Sequence, residues 1–169
     1  MEKNEQRYSI AAINRARTVR LELEYIRDII DNYFVDVSHS DGMESSFSSK
    51  IGWISDQLAE LYACLGNNAS EVADTLGSMG LVGELLSVRG CPLARLGLAA
   101  TGMIVAVDGQ GRYIIHFLDE IVVRYLPQFA AAFRRDFDQG RFPWLECDVN
   151  IDHTAVTLAS ARKEADHAL

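Results

Sequence analysis

The run from Arg112 to Phe137 constrains this chain most. Placed on a helical wheel, Ile114, Ile115, Leu118, Ile121, Val122, Tyr125, Leu126, Phe129 and Phe133 fill one broad apolar arc. Arg112, His116, Asp119, Glu120, Arg124, Gln128, Arg134 and Arg135 fall on the other side. An apolar arc this wide belongs to a helix touched by several neighbours, so the pattern predicts a central helix. Pro127 lacks an N–H and clashes with the preceding turn, which predicts a kink near Val123–Pro127.

Two further helices carry seams of another kind. In residues 6–34, Ala12, Ala16, Val19, Leu23, Ile26, Ile30 and Tyr33 alternate steps of four and three. In residues 47–65, Phe47, Ile51, Ile54, Leu58, Leu61 and Leu65 do the same. Matching heptad seams on consecutive helices predict an antiparallel helical hairpin, with pairing between two copies of the chain as the competing use. The serine-rich segment between them, Val35 to Ser49, reads as a loop.

Asn68 and Glu71 have capping-box spacing and open a third helix over about 69–87, with a break at Gly77–Gly80 as an alternative. Gly90 ends that element and Pro92 suits the first position of the next. Residues 103–116 allow two readings. Met103 to Val107 is rich in β-formers and Asp108-Gly109 is a hairpin signal, but the polar stripe containing Arg112 and His116 tips the reading toward helix, turn, helix. Gly140 stops the central helix, and the aromatics of Arg141 to Trp144 cover its end. Beyond it, Leu145, Cys147, Val149 and Ile151 alternate like a half-buried strand. Residues 152–166 suit a returning strand or a helix, and 159–169 read as a frayed tail. The fold class expected is mainly α: one domain over 1–169, a helical bundle built on the hairpin and the kinked central helix, with one or two small β-hairpins, or else α+β.

The formal charge is −8 with a pI near 4.9, which argues against binding nucleic acid or an anionic membrane directly. The acidity concentrates in residues 35–75, where seven carboxylates face Lys50 alone. Cys64, Cys91 and Cys147 are odd in number and widely spaced, and the first residues lack a signal-peptide layout. These features predict a cytoplasmic protein with free thiols. The longest apolar run, Leu96 to Val107, is too short to span a bilayer.

No motif for catalysis, nucleotide or metal stands out, and no cofactor is expected. His116, Asp119 and Glu120 share the polar stripe at helical spacing, so they are the candidate ligand or metal set for a small enzyme or sensor. Asp148-Val-Asn150-Ile-Asp152 begins like a calcium loop but lacks its glycine and final glutamate. Cys91, before Pro92, is the one thiol a helix dipole could activate. The reading favoured is a non-enzymatic protein-binding protein, an adaptor, inhibitor or antagonist of a more basic partner. Asp36, Asp41, Glu44, Asp56 and Glu60 would steer that partner.

Overall fold

A computed structural model describes residues 8–36, 44–117 and 119–147. Their order is α1 (Ile10–Asp36), α2 (Glu44–Ala63), α3 (Ala69–Ser78), α4 (Pro92–Thr101), β1 (Ile104–Val107), β2 (Arg112–Phe117), β3 (Glu120–Tyr125) and α5 (Gln128–Asp138). A 3-10 turn, Pro143–Leu145, follows. The protein is mainly helical with a small antiparallel sheet, as expected. The readings of Asp148 to Asp152, of residues 152–166 and of the tail lie outside the described residues.

Where side chains are described, both heptad seams face the core, with Leu23 part-buried. Ala12, Ala16, Val19 and Ile26 are sealed on α1, as are Ile51, Ile54, Leu58, Leu61 and Leu65 on α2. The two helices touch, and α1 also leans on α3 and α4. Near its small-residue start, the Arg15 Nε donates to the buried Thr75 Oγ1 at 3.0 Å and Nη1 lies 3.8 Å from Glu71. The described part of the seam therefore packs within this chain.

The start of α3 is capped as its sequence predicts: the Asn68 side chain accepts from the Glu71 N–H at 3.0 Å. Its end falls earlier. Gly80 adopts φ +73, and the N–H groups of Gly80 and Leu81 close on the carbonyls of Gly77 and Leu76. This left-handed stop needs a residue without Cβ. Residues 81–91 then form a loop, where the sequence had suggested more helix. Gly83 lies so close to Pro92 and the Gly90 carbonyl that a Cβ would have no room. Pro92 opens α4 at its first turn.

The predicted central helix is not present. Residues 112–117 and 120–125 are strands, and β1, β2 and β3 form an up-and-down antiparallel sheet. Register runs Val107 to Tyr113, Ile115 to Val122 and Phe117 to Glu120. Two local causes override helical periodicity. Ile114, Ile115, Ile121, Val122 and Val123 are β-branched and favour the pleated surface. At the first turn the Asp108 carboxylate accepts from the N–H groups of Gln110 and Arg112, both at 2.9 Å, and pairs with the Arg112 Nε at 2.7 Å. Gly111, with φ +80, supplies the left-handed residue of a three-residue hairpin loop. Pro127 starts α5 and kinks nothing.

One face of the sheet is core: Val105, Val107, Tyr113 and Ile115 pack against α4 and α2. The Tyr113 hydroxyl donates to the Ser55 carbonyl at 2.7 Å, and the Tyr62 hydroxyl donates to the Leu93 carbonyl at 3.0 Å. Their rings lie 5.3 Å apart. Phe133, Phe137 and Phe142 close the other end, with Trp144 edge-on to Phe142, so the aromatics after Gly140 do cover the end of α5.

Candidate functional site

The structure separates the residues that the helical reading had placed together. His116 sits on the outer face of β2 opposite Ile121, whereas Glu120 pairs with Phe117 and so lies on the other face. Asp119 is exposed at the turn between them. A histidine and a glutamate on opposite faces of a hairpin cannot share one ion. Among the described residues no group of three His, Cys, Asp or Glu side chains could hold a metal.

Cys91 is fully buried at the start of α4. Burial pushes its thiol up, and this outweighs the opposing pull of Arg134 and of the Ala94 and Leu93 N–H groups. The thiol stays protonated, as an inert core thiol does. Cys64 is also raised, by burial first and then by the carboxylates of Glu22 and Glu60.

That last effect locates part of the expected acidic surface. Glu60, on α2, shares the surroundings of Cys64 with Glu22 of α1. Asp56 stands one turn earlier, exposed, 3.9 Å from the Arg124 Nε of β3. Asp36 ends α1 and Glu44 begins α2, so both mark the connected end of the helical pair. Asp41 lies outside the described residues. Glu44 and Asp56 are twelve positions apart, about 18 Å along the helix axis. Glu44, Asp56 and Glu60 are therefore spread along the sequence of α2 and not gathered at one turn.

Three surface features escaped the sequence reading. First, α1 exposes large apolar side chains away from its buried seam: Ile10 and Ile13 near its start and Leu21 and Tyr25 further on, with Asn14 and Arg17 between the two pairs. A search for one periodic stripe stops at the buried seam; the i, i+4 pair of Leu21 and Tyr25 lies outside it. Second, the sheet's outer face carries Ile104, Ile121 and Val123, with Tyr125 75% exposed at its rim. An antiparallel sheet with one face in water normally puts polar residues there.

Third, the 81–91 loop is held as firmly as a helix while exposing apolar side chains. Leu86 has φ +58, a left-handed conformation that costs a leucine about 1–2 kcal/mol, and its side chain is 76% exposed. The Leu86 N–H donates to Asp138 Oδ1 at 2.9 Å. Arg134, buried on α5, pairs through Nη1 with the same carboxylate. Its Nε and Nη2 donate to the carbonyls of Val107 and Ser87 at 3.4 and 3.3 Å. The Glu84 N–H donates to the Gly90 carbonyl at 2.9 Å, closing the loop on itself. Val88 accepts from the Val107 N–H, and Gly83 exchanges bonds with Leu145 and Cys147. Strain kept by over-determined surroundings at an exposed apolar tip is a mark of functional surface.

The described surface thus combines exposed apolar side chains, carboxylates and a loop tied to α5 and β1. None of the described helices is long and apolar enough to cross a membrane. Compared with known protein families, with curated proteins and with solved structures, the chain matches none.

Proposed function

We propose that this chain is a non-enzymatic protein-binding protein whose partner is more basic than itself, in the manner of an adaptor, inhibitor or antagonist. The observation that carries the reading is the set of large apolar side chains that α1 exposes away from its buried seam. A surface helix buries one stripe and turns polar residues outward; here Ile10, Ile13, Leu21 and Tyr25 face outward among the polar ones. Charge changes along the helix: Arg17 and Arg20 are exposed between Ile13 and Leu21, Glu24, Asp28 and Asp31 follow, and neighbouring α2 adds Asp56 and Glu60. The acidic half around Tyr25 suits a partner with the opposite field: the apolar anchors hold, and the carboxylates speed encounter and select sign.

Affinity capture with the full chain tests this. The wild type is expected to retain a basic protein in a yield that falls as salt rises. Leu21→Glu should abolish retention, and Asp56→Lys with Glu60→Lys should weaken it mainly by slowing association. Retention indifferent to salt and to both sets of changes would refute the reading.

A further inference from the structure

The 81–91 loop is braced from behind and apolar in front. We infer that it docks, Leu86 foremost, into an apolar socket rimmed with carboxylates on another protein. This surface is separate from the acidic half of α1, so the two readings can fail independently.

The first ground is the backbone of Leu86. Its φ of +58 suits glycine, and leucine is a rare occupant of that region. A glycine there would relieve the strain, yet the leucine leaves 76% of its surface in water. Leu85 and Val88 beside it are exposed as well. Strain kept for a side chain that packs on little within its own chain points to a contact made outside it.

The second ground is preparation. The Gly90 N–H donates to Ser87 Oγ at 2.9 Å, and Arg95 reaches Glu84 from α4 at 3.5 Å. With the Leu86 N–H on Asp138 and the Arg134 guanidinium on the Ser87 carbonyl, the tip is fixed before any partner arrives. An apolar anchor already held in its bound shape gives up little freedom on docking.

The third ground is charge, and it selects the partner. Each carboxylate of the loop and of α5 is engaged by an arginine: Glu84 by Arg95, Asp136 by Arg141 and Asp138 by Arg134. Glu146 stands at the base of the loop, beside Gly83. Arg89, in the loop, and Arg135, next in sequence to the anchoring Arg134, are exposed and take no ion pair among the described residues. A chain of net charge −8 therefore shows a positive margin at this tip, opposite in sign to the later half of α1. Exposed arginines beside apolar anchors call for carboxylates on the partner. The net charge repels an anionic bilayer or a nucleic acid, so the observations favour a protein.

Selection from a random-peptide display library on the immobilised full chain tests this, with the leading peptide then synthesised and titrated. Enriched peptides are expected to combine aromatic or aliphatic residues with Asp and Glu. Leu86→Gly suits the backbone and removes only the side chain, so it should weaken the leading peptide about tenfold or more. Arg89→Glu with Arg135→Glu should weaken it too, while Leu21→Glu leaves it unchanged. Circular dichroism checks that each variant is folded. Sedimentation of the full chain, and flotation with phosphatidylserine vesicles, test a second copy and a membrane as occupants. Failure to enrich any peptide overturns the inference, as do peptides that lack carboxylates or that bind Leu86→Gly as tightly as the wild type. Self-association or vesicle binding that disappears with Leu86→Gly overturns it as well.

Discussion

Arg134 and Asp138, one turn apart on α5, form an ion pair whose carboxylate also accepts the N–H of Leu86, fifty-two residues away in sequence. The helix thereby grips a surface loop by its backbone. Removing Asp138 leaves the buried Arg134 guanidinium without its counter-ion, and removing Arg134 leaves the part-buried carboxylate unpaired and the Val107 and Ser87 carbonyls without their donor. Arg134→Met or Asp138→Ala is expected to cost about 3–5 kcal/mol, read as a shift in the urea midpoint. A loss below about 1 kcal/mol would mean that the pair is solvated in solution.

Leu86 should behave in the opposite sense. Its left-handed backbone is strained and its side chain touches little, so Leu86→Gly is expected to leave stability unchanged or raise it by up to about 1 kcal/mol. If thermal unfolding instead shows a clear loss, the side chain is packed and the loop is not the exposed tip described.

Alkaline stability should report on Tyr113. Its phenol is pushed up to about 12, by burial first, with nearby Asp56 adding to the shift and Arg124 opposing it. The neutral form is favoured in the folded protein, so this contribution is whole below the unfolded value near 10 and drains away as pH rises toward 12. Tyr113→Phe should flatten that alkaline fall while forfeiting the bond to Ser55, a loss of about 1 kcal/mol at neutral pH. Unfolding curves at paired pH values decide it.

The β1–β2 turn makes an acid-side counterpart. Burial works to raise Asp108, but hydrogen bonds from the Arg112 N–H, the Arg112 side chain and the Gln110 N–H outweigh it, and the carboxyl is held below its ordinary value. Its contribution is present above the unfolded value near 3.9 and lost as pH falls through the folded one. Asp108→Ala should cost about 1–3 kcal/mol at neutral pH, and the wild type's advantage should shrink in acid. An advantage that persists undiminished in acid would rule this origin out.

What the sequence made legible was local. The seams of α1 and α2, the Asn68 cap, Pro92 at a helix start and Gly140 at a helix end each depend on residues within a turn or two of one another. The run from Arg112 to Phe137 misled because a β-hairpin, a turn and a helix in succession can imitate a single helical arc. The hairpin signal at Asp108-Gly109 was the better guide, since a carboxylate bonded to two N–H groups decides the turn before periodicity matters. Arg134 was counted as a surface cation because its acceptors, Ser87 and Val107, come from segments that no local window joins. The acidic surface was legible as composition, but its spread along α2 was not. Neither the outward apolar residues of α1 nor Ile104, Ile121 and Val123 of the sheet could be told from core by local pattern alone.

The bond from Val107 to Val88 ties the β1 edge of the sheet to the 81–91 loop, and the Arg134 guanidinium spans the Val107 and Ser87 carbonyls beside it. Loop, strand and helix thus share one set of fastenings, so they should open to solvent as one cooperative unit.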